Sequence, residues 1–331
     1  MVRDPVRKSI LSEGVATRNH DQGTTSEDVI SGHDLTGRRA IVTGASSGLG
    51  AETARILAAA GAEVIMAVRD VRSGEAVAAS IEGRGVRRPR VEQLDLANLA
   101  SVRGFAERAG GKPVDLLINN AGLMGTDAAT TADGFELQFG VNHLGHFLLT
   151  LLLLPDLAAA KSARVINLSS AAHIWSDVDL DDPHFRSRPY DRWLSYAQSK
   201  TANILFGVEL TRRFADRGIV SNAVMPGTIA DTELRRYADA EKRKSIPAFS
   251  TRPLEPPHVA IKSLSQGAAT TIWAAVSPEL GNRGGLYLED CGISGPWSEV
   301  DPRRGVKDYA IDKQRAAALW ALSEKMMGAT G

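Results

Sequence analysis

A glycine-rich turn between a strand-like and a helix-like segment constrains this chain more than any other feature of its sequence. The turn, Thr43–Gly50, reads Thr-Gly-Ala-Ser-Ser-Gly-Leu-Gly. It follows the run 39–42, which is rich in β-branched residues, and precedes the helix-forming run 51–58. Glycines allow the backbone to approach a pyrophosphate, and a helix N-terminus offers free N–H groups and the positive end of its dipole. The order of strand, turn and helix therefore predicts a dinucleotide-binding turn.

Strand-like and helix-like segments continue to alternate along the rest of the chain. We expect strands at about 40–43, 63–68, 90–94, 114–119, 164–168, 219–225 and 285–288. We expect helices at about 48–60, 71–81, 99–109, 134–154, 196–215, 267–276 and 308–326, with the apolar run 147–154 stopped by Pro155. This alternation with short links predicts an α/β fold, a Rossmann-type doubly wound parallel sheet of about seven strands with helices on both faces.

The sequence divides into two regions of very different length. Residues 1–34 are polar and predict a partly disordered N-terminal arm, in which 24–28 could cap one short helix. Residues 35–331 predict a single Rossmann-fold domain. Within that domain we expect a substrate flap at about 171–193, a lid at about 227–257 and a C-terminal helix at about 308–326.

Charge and composition argue against several classes of partner. Lys plus Arg and Asp plus Glu are equal at 39 each, which gives no electrostatic reason to expect nucleic acid or an anionic membrane. The single cysteine, Cys291, excludes an internal disulfide framework and fits a reducing cytoplasm. The run 147–154 is too short to cross a bilayer, and the N-terminus resembles neither a signal peptide nor a membrane anchor. We therefore expect a cytoplasmic protein without nucleic-acid or membrane partners.

Polar clusters stand at the ends of three predicted strands, at Asn119-Asn120-Ala121-Gly122, Ser169-Ser170 and Pro226-Gly227. Each cluster alone is a common turn signal. Because ligands of doubly wound sheets bind beyond the carboxyl ends of the strands, the three clusters together favour one shared crevice.

Tyr196 and Lys200 are four residues apart in a predicted helix, so they share one helix face. A nearby ammonium favours the phenolate and lowers the pKa of a tyrosine from about 10 towards neutrality. Such a tyrosine is a usable general acid or base. The pair alone usually marks a solvated helix face, but together with the dinucleotide turn and the strand-end serines it indicates an active site.

These motifs occur together in the order typical of the short-chain dehydrogenase/reductase family, which the chain resembles between about residues 35 and 288. The residues that carry the resemblance are Thr43, Gly44, Gly48, Gly50, Asp95, Asn119–Gly122, Asn142, Ser170, Tyr196, Lys200 and Pro226-Gly227. Within the family, the runs 133–147, 287–291 and 319–324 are similar to the retinol dehydrogenase and WW-domain oxidoreductase-like group.

The resemblance implies a catalytic set of Asn142, Ser170, Tyr196 and Lys200. Tyr196 would give a proton to the substrate oxygen in reduction, or take it in oxidation. Lys200 would hold the nicotinamide ribose and lower the pKa of Tyr196, and Ser170 would hydrogen-bond the carbonyl. Asn142 would hold a water that links Lys200 to bulk solvent.

The resemblance also implies a cofactor site. Its residues would be Gly44, Ser46, Ser47, Gly48, Leu49, Gly50, Arg69, Asp95, Leu96, Asn120, Ala121, Gly122, Tyr196, Lys200, Pro226, Gly227 and Ile229. An acid in place of Val68 would favour NAD, whereas the Arg69 guanidinium can pair with the 2′-phosphate of NADP. We therefore expect NADP(H), with NAD(H) as the alternative; Arg69 could also be an ordinary solvated arginine and Asp70 a helix N-cap.

The gap between Ser170 and Tyr196 is longer than in the main branch of the family and carries several aromatic residues. We expect an aromatic-bearing flap, with Ser170, His173, Trp175 and Trp193 as candidate substrate contacts; His173 could instead be a surface histidine. No metal is expected, because His143 and His146 lack an acidic or cysteine partner that would complete a ligand set.

Together these features predict an NADP(H)-dependent oxidoreductase that interconverts a carbonyl and an alcohol on a lipophilic or aromatic small molecule. Two alternatives stay open: reduction of a carbon–carbon double bond, and a non-catalytic nucleotide-sensing or scaffolding role on the same fold. The resemblance further implies a homodimer or homotetramer formed through the two long helices at about 134–154 and 196–215.

Overall fold

The inner strands of the central sheet are short, apolar and buried, as expected for parallel strands covered on both faces. The computed structural model describes residues 20–229, 234 and 261–328. Its strands are β1 Arg39–Thr43, β2 Glu63–Val68, β3 Arg90–Gln93, β4 Leu116–Asn119, β5 Ala163–Leu168, β6 Ile219–Met225, β7 Thr228–Ile229, β8 Ile261–Lys262, β9 Tyr287–Glu289 and β10 Gly292–Ile293.

Helices connect most of these strands. They are α1 Ser26–Ile30, α2 Gly48–Ala59, α3 Val71–Glu82, α4 Leu99–Ala109, α5 Leu137–Phe139, α6 Gly145–Leu152, α7 Leu154–Ala159, α8 Arg192–Phe214, α9 Leu264–Val276, α10 Asp308–Ile311 and α11 Lys313–Met326.

The main sheet has eight strands in the order β10-β9-β6-β5-β4-β1-β2-β3. Neighbouring strands are parallel, except that β10 pairs antiparallel with β9. The predicted fold class is confirmed, and the hairpin from β9 to β10 adds a strand to the expected number of about seven. The strand order reverses between β1 and β4, which places a ligand crevice beyond the carboxyl ends of these two strands.

Helices cover both faces of the sheet. On one face, α4 and α8 bury side chains such as Phe105 and Leu205 in a cluster that also includes α6 and α11. On the other face, α2 and α9 bury Leu57 and Ile272 in a second cluster, which α1 and α3 complete. Each fully buried side chain of this size stabilises the fold by about 1.5–3 kcal/mol.

The helix that follows β4 differs from the predicted 134–154 at both ends. It begins at Leu137, because the Glu136 carboxylate accepts hydrogen bonds from two backbone N–H groups of the first turn at 3.0 and 2.6 Å. Helix α6 ends at Leu152, shortly before Pro155. Pro155 itself lies in the first turn of the next helix, α7, where no N–H donor is needed. Between α5 and α6, the segment Gly140–Leu144 forms a π-helical turn that the sequence did not predict.

The long helix α8 begins at Arg192, before the predicted start at 196. The carboxylate of Asp191 caps it by accepting hydrogen bonds from the first-turn N–H groups of Trp193 and Leu194 at 2.8 and 3.0 Å. Trp193 therefore lies on α8, and the predicted flap begins with a 3₁₀-helical turn, Ala171–Trp175.

The C-terminal region predicted as one helix at 308–326 forms two helices, α10 and α11. The ring of Trp320 on α11 lies 5.0 Å from that of Phe147 on α6 and 5.8 Å from that of Phe206 on α8, measured between centroids. The guanidinium of Arg213 lies 4.7 Å from the centroid of the Trp320 ring. Helix α11 therefore covers an aromatic face shared by α6 and α8.

The described N-terminal segment begins with the expected capped helix. The Thr25 hydroxyl accepts a hydrogen bond from the N–H of Asp28 at 3.2 Å, and the Asp28 carboxylate accepts one from the N–H of Thr25 at 3.0 Å. This capping box starts α1, which packs against α2 and α9. The domain boundary at 34 and the disorder of the arm stay predictions, and residues 1–19 lie outside the described residues.

The predicted lid at 227–257 lies largely outside the described residues, which include only 227–229 and 234 of it. The two ends of this region meet where β7 pairs with β8 in a separate two-stranded sheet. In the described ranges, no helix is both long enough and apolar enough to cross a bilayer.

Candidate active site

A cavity of about 1000 Å³ lies beyond the carboxyl ends of β1, β4, β5 and β6. Its wall includes most of the residues predicted for cofactor and substrate: Gly44, Ser46, Ser47, Gly48, Leu49, Gly50, Arg69, Asp95, Leu96, Asn120, Ala121, Gly122, Ser170, Trp175, Trp193, Tyr196, Lys200, Pro226, Gly227 and Ile229. Asn142 and His173 are fully buried and are not part of this wall. The roles of all these residues stay predictions at this point.

The glycine turn packs tightly against the end of β4. Gly44 has a φ of +65°, and a Cβ placed on it would lie 2.9 Å from the Cα of Ala121. A Cβ on Gly50 would lie 2.4 Å from the carbonyl oxygen of Gly44 and 2.5 Å from Nδ2 of Asn120. Larger residues cannot occupy these positions, so the backbone at the start of α2 stays open to the cavity. This cradle fits a dinucleotide pyrophosphate.

The strand ends on either side of the crevice are joined by side-chain hydrogen bonds. The Thr43 hydroxyl accepts from the N–H groups of Asn120 and Ala121 at 2.9 and 3.0 Å, and the Asn120 amide donates to the Thr43 carbonyl at 2.7 Å. Within the sheet, Asn119 donates to the side chain of Asn167 on β5 at 2.9 Å. These bonds fix the mouth of the crevice between β1, β4 and β5.

An arginine, Arg69, follows the end of β2 and lines the cavity. Val68 is fully buried, and Arg69 is exposed at the cavity wall. The carboxylate of Asp70 accepts hydrogen bonds from the N–H groups of Arg72 and Ser73 at 3.0 and 3.3 Å and so caps α3. The acid of this strand end is therefore engaged in the helix cap, and Arg69 is the cation of this strand end that lines the cavity.

Tyr196 lies on α8 with 3% of its surface exposed. Burial raises the pKa of its phenol to about 12, and a side-chain hydrogen bond with Ser170 acts in the opposite direction. Ser170 is the residue directly before the 3₁₀-helical turn, and its hydroxyl accepts from the N–H of Ala172 at 3.1 Å. The two hydroxyls expected to act on the substrate oxygen therefore lie together in the cavity wall.

Lys200 is as buried as Tyr196, with 3% of its surface exposed, and loss of hydration lowers the pKa of its ammonium to about 8. Its Nζ donates to the carbonyl of Leu168 at 2.9 Å and lies 5.6 Å from the centroid of the Tyr196 ring. The predicted lowering of the Tyr196 pKa is not found in this structure, because the ammonium bonds to Leu168 and burial of the phenol dominates.

Asn142 lies in the π-helical turn behind the cavity wall. Its side chain accepts from the N–H of Leu123 at 2.8 Å and donates to the carbonyl of the same residue at 2.9 Å. It also donates to the Ser199 hydroxyl at 2.9 Å, which links the loop after β4 to α8 next to Lys200. Single π-helical turns inside α-helices often mark functional sites.

Two buried histidines, His143 and His146, follow Asn142 in the chain, and they bond to different elements. His146 lies 2.8 Å from the Thr43 hydroxyl through Nε2 and 3.0 Å from the Asn142 carbonyl through Nδ1. His143 lies 2.9 Å from the hydroxyl of Ser323 on α11 through Nε2. Burial lowers the pKa of His146 to about 4 and that of His143 to about 3, so both are neutral at physiological pH. Their spacing in the sequence suggests only a possible metal pair and does not predict these structural contacts.

His173 is fully buried, so it is not a surface residue, and it does not line the cavity in this structure. Its role as a substrate contact stays a prediction. Its Nδ1 lies 2.8 Å from the Ser170 carbonyl, and its Nε2 accepts from the N–H of Lys307 at 3.3 Å. Its ring lies 4.7 Å from that of Tyr287. The side chain therefore supports the backbone of Ser170 from behind and joins it to the C-terminal region.

An apolar set of side chains also lines the cavity, in addition to Trp175 and Trp193. It is formed by Leu123, Met124, Leu137, Val141, Ile174 and Met225. The sequence did not single out these residues, because apolar side chains at helix and strand ends resemble ordinary core positions. Their presence in the wall means that part of the cavity can bind a nonpolar molecule.

The chain is similar in sequence to a family of known proteins and to several individual proteins. Residues 38–243 match the family described as short chain dehydrogenase. A probable oxidoreductase of Streptomyces lividans is 44% identical over 289 residues, covering 87% of this chain and 96% of that protein. Human retinol dehydrogenase 13 is 40% identical over 298 residues, covering 89% of this chain and 86% of that protein. Mouse polyprenol dehydrogenase is 42% identical over 304 residues, covering 89% and 85%.

Solved structures show the same fold. An uncharacterized protein from Mycobacterium paratuberculosis aligns with a TM-score of 0.71 and 40% identity over 92% of this chain and 98% of that one. The RhlG/NADP active-site complex of Pseudomonas aeruginosa aligns with a TM-score of 0.60 and 25% identity, covering 77% of this chain and 95% of that one. The chain therefore belongs to the short-chain dehydrogenase/reductase family of NAD(P)-dependent oxidoreductases.

Proposed function

We propose that the protein is an NADP(H)-dependent oxidoreductase that interconverts a carbonyl group and an alcohol on a lipophilic or aromatic small molecule. Tyr196 is the general acid or base. The observation that carries this proposal is that Ser170, Tyr196 and Lys200 line the same cavity as the glycine turn, together with an apolar region of the wall.

The cofactor would be held by the backbone of the glycine turn and by the strand ends around it. These are Gly44, Ser46, Ser47, Gly48, Leu49 and Gly50, with Arg69, Asp95, Leu96, Asn120, Ala121, Gly122, Pro226, Gly227 and Ile229. A bound nicotinamide supplies or accepts the hydride, and the protein supplies the proton. Arg69 supports NADP(H) over NAD(H), since a guanidinium pairs well with a phosphate.

The proton step belongs to Tyr196. With its pKa raised to about 12, the phenol is protonated at neutral pH and can donate to the substrate oxygen when a carbonyl is reduced. Ser170 donates a second hydrogen bond to the same oxygen, where negative charge develops. In the oxidation direction the phenol must lose its proton, and an ammonium close to the phenol oxygen would favour that loss.

The apolar wall supports a lipophilic substrate. Leu137, Val141 and Ile174 offer no polar partner, so a nonpolar group gains from leaving water there by about 25 cal/mol per Å² of surface buried. Relatives named for retinol and polyprenol act on lipophilic alcohols by their names, which agrees with such a substrate.

For the assembly, we propose a homodimer or homotetramer. Helix α11 covers the aromatic face of α6 and α8, so a contact through these helices must use their other faces or α11 itself. Light scattering coupled to size-exclusion chromatography measures the number of subunits, and a monomer at all concentrations would contradict this part.

A screen of NADPH oxidation across aldehydes, ketones and polyketide-like aromatics, with NADH in parallel, tests the reaction. We expect alcohol products with NADPH, and a Tyr196→Phe variant about 10²- to 10⁴-fold lower in kcat that still binds NADPH. Enones should be included with product analysis, since a saturated ketone would indicate reduction of a carbon–carbon double bond instead. Biological activity that survives Tyr196→Phe would exclude a catalytic function.

A further inference from the structure

The described start of the chain reaches the dinucleotide cavity. Gln22 lines the cavity wall, on the side that also carries Asp290 and Arg304. Its side chain is only partly exposed. Residue 22 lies before residue 38, where the match to the family begins. Nothing in the family match therefore assigns a role to this segment.

A polar cluster fixes this segment to the rest of the protein. The Ser26 hydroxyl donates to the carboxylate of Glu52 on α2 at 3.0 Å, and the N–H of Ser26 donates to the hydroxyl of Ser265 on α9 at 3.1 Å. Arg55 on α2 forms ion pairs with Glu52 at 2.7 Å and with Glu27 on α1. Glu27 also accepts a hydrogen bond from Ser265. Three helices thus share one hydrogen-bonded cluster.

Two further contacts attach the N-terminal segment to the rest of the protein. The Gln266 amide of α9 donates to the carbonyl of Gly23, the neighbour of Gln22, at 3.3 Å. Val29 on α1 is 5% exposed and belongs to the hydrophobic cluster between α2 and α9. The backbone on both sides of the α1 cap is therefore held in place, and Gly23, the neighbour of Gln22, is bonded to α9.

The two helices that hold α1 also contact or contain the glycine turn Thr43–Gly50. Helix α2 begins within the turn at Gly48. Helix α9 touches it, since a Cβ on Gly267 would lie 2.8 Å from Cδ2 of Leu49. The segment that carries Gln22 is thus bonded to α9, and α9 in turn packs against the glycine turn at the start of α2.

We propose that residues 20–30 are part of the dinucleotide site, with the Gln22 side chain bonding the bound dinucleotide and α1 acting as its positioning element. This rests on the proposed cofactor function. An amide both donates and accepts hydrogen bonds. The phosphate, hydroxyl and carboxamide groups of a dinucleotide offer matching partners, whereas a lipophilic substrate offers few.

The test is a direct titration of NADPH against the full-length protein, followed by nucleotide fluorescence without substrate. Gln22→Ala should weaken NADPH binding about 3- to 10-fold, as expected for one lost hydrogen bond. The melting temperature of the free protein should stay unchanged. Gln314→Ala is the matched control, since Gln314 is exposed on α11, and it should bind NADPH as the wild type does.

Arg55→Met tests the positioning role, because it removes the cation of the cluster without touching Gln22. We expect weaker NADPH binding, and we expect the double variant Gln22→Ala/Arg55→Met to bind no more weakly than the weaker single variant. If the losses of NADPH binding free energy in the two single variants add fully in the double variant, the cluster does not act through Gln22.

Wild-type affinity for NADPH in Gln22→Ala would overturn this proposal while leaving the proposed function intact. A wild-type protein that binds neither NADPH nor NADH would overturn both proposals together. The two failures are therefore distinguished by the wild-type titration itself.

Discussion

Nε2 of His146 lies 2.8 Å from the Thr43 hydroxyl, and Nδ1 of the same ring lies 3.0 Å from the Asn142 carbonyl. Because a carbonyl can only accept, Nδ1 carries the proton and Nε2 accepts from Thr43. Thr43 ends the strand that enters the cofactor turn, and Asn142 lies in the π-helical turn. One buried neutral imidazole therefore joins the cofactor turn to the predicted catalytic asparagine.

Thr43→Val tests this link. The substitution leaves Nε2 of His146 and the N–H groups of Asn120 and Ala121 without their hydroxyl partner. We expect the free energy of unfolding to fall by about 1–3 kcal/mol, the usual result of buried polar groups left unpaired. Urea denaturation measures it. Thr43→Ser keeps the hydroxyl and is the control, so equal stability of the two variants would contradict the assignment.

Buried histidines predict a loss of stability in mild acid. Burial lowers the pKa of His143 to about 3 and those of His146 and His173 to about 4, from 6.5. Between pH 6.5 and about 4 the unfolded chain binds protons that the native protein does not, so stability is complete above pH 6.5 and falls as the pH drops. For each histidine, the free energy of unfolding falls by up to about 1.4 kcal/mol per pH unit in this range.

His143→Phe isolates one of these three contributions. His143 packs among the rings of Phe139, Phe147 and Phe206 at 5.1 to 6.0 Å, so a phenylalanine suits the site. Urea unfolding between pH 7 and pH 5 should show a shallower loss of stability than in the wild type. An unchanged slope would mean that this imidazole takes up a proton as readily in the native protein as in the unfolded chain.

Lys200 predicts a pH dependence of cofactor binding. Burial lowers the pKa of its ammonium to about 8, so the charged form is lost as the pH rises through that value. If the ammonium holds the nicotinamide ribose, NADPH affinity should decline above about pH 8, and Lys200→Met should bind weakly at every pH. Fluorescence titrations from pH 6.5 to 9.5 measure this, and a wild-type profile that stays flat would argue against the contact.

Arg69 predicts the cofactor preference. Replacing it by glutamine should weaken NADPH binding by about 10- to 100-fold, the range of a lost charge-assisted hydrogen bond, while NADH binding changes little. Arg72 on α3 is an exposed arginine nearby in sequence, and Arg72→Gln is the control. Parallel losses for both nucleotides in the Arg69 variant would refute a 2′-phosphate contact.

Trp320 predicts the contribution of α11 to stability. It is 2% exposed and contacts three aromatic residues and one arginine, so Trp320→Ala should cost about 3–5 kcal/mol of unfolding free energy. Thermal or chemical denaturation measures the loss. Val300 is 96% exposed, and Val300→Ala should have no measurable effect. A mild effect of Trp320→Ala would mean that α11 is only loosely attached.

The sequence was sufficient for the sheet and for the cofactor turn, because both depend on local patterns. Buried parallel strands are continuous apolar runs, and Gly44 and Gly50 stand where no Cβ fits. Strand ends in such a sheet meet by topology, so Ser170 and Pro226 could be placed together before any contact was known. The observed eight-stranded sheet agrees with this logic.

The sequence was insufficient where long-range contacts decide. The π-helical turn at Asn142 has no signature in composition, and Pro155 marks a helix start or a helix end depending on its neighbours. The spacing of Tyr196 and Lys200 gives their shared face, but not the burial that raises one pKa and lowers the other. Likewise, the cap at Thr25 predicts a short helix, but not that Ser26 bonds to Ser265.

The bond between His143 and Ser323 has a consequence for synthesis of the chain. The ribosome makes residue 143 long before residue 323, yet the π-helical turn that holds Asn142 is packed against the helix carrying Ser323. The π-helical turn behind the predicted catalytic residues therefore gains this packing partner only after residue 323 has been made, and a product terminated before that residue would lack it.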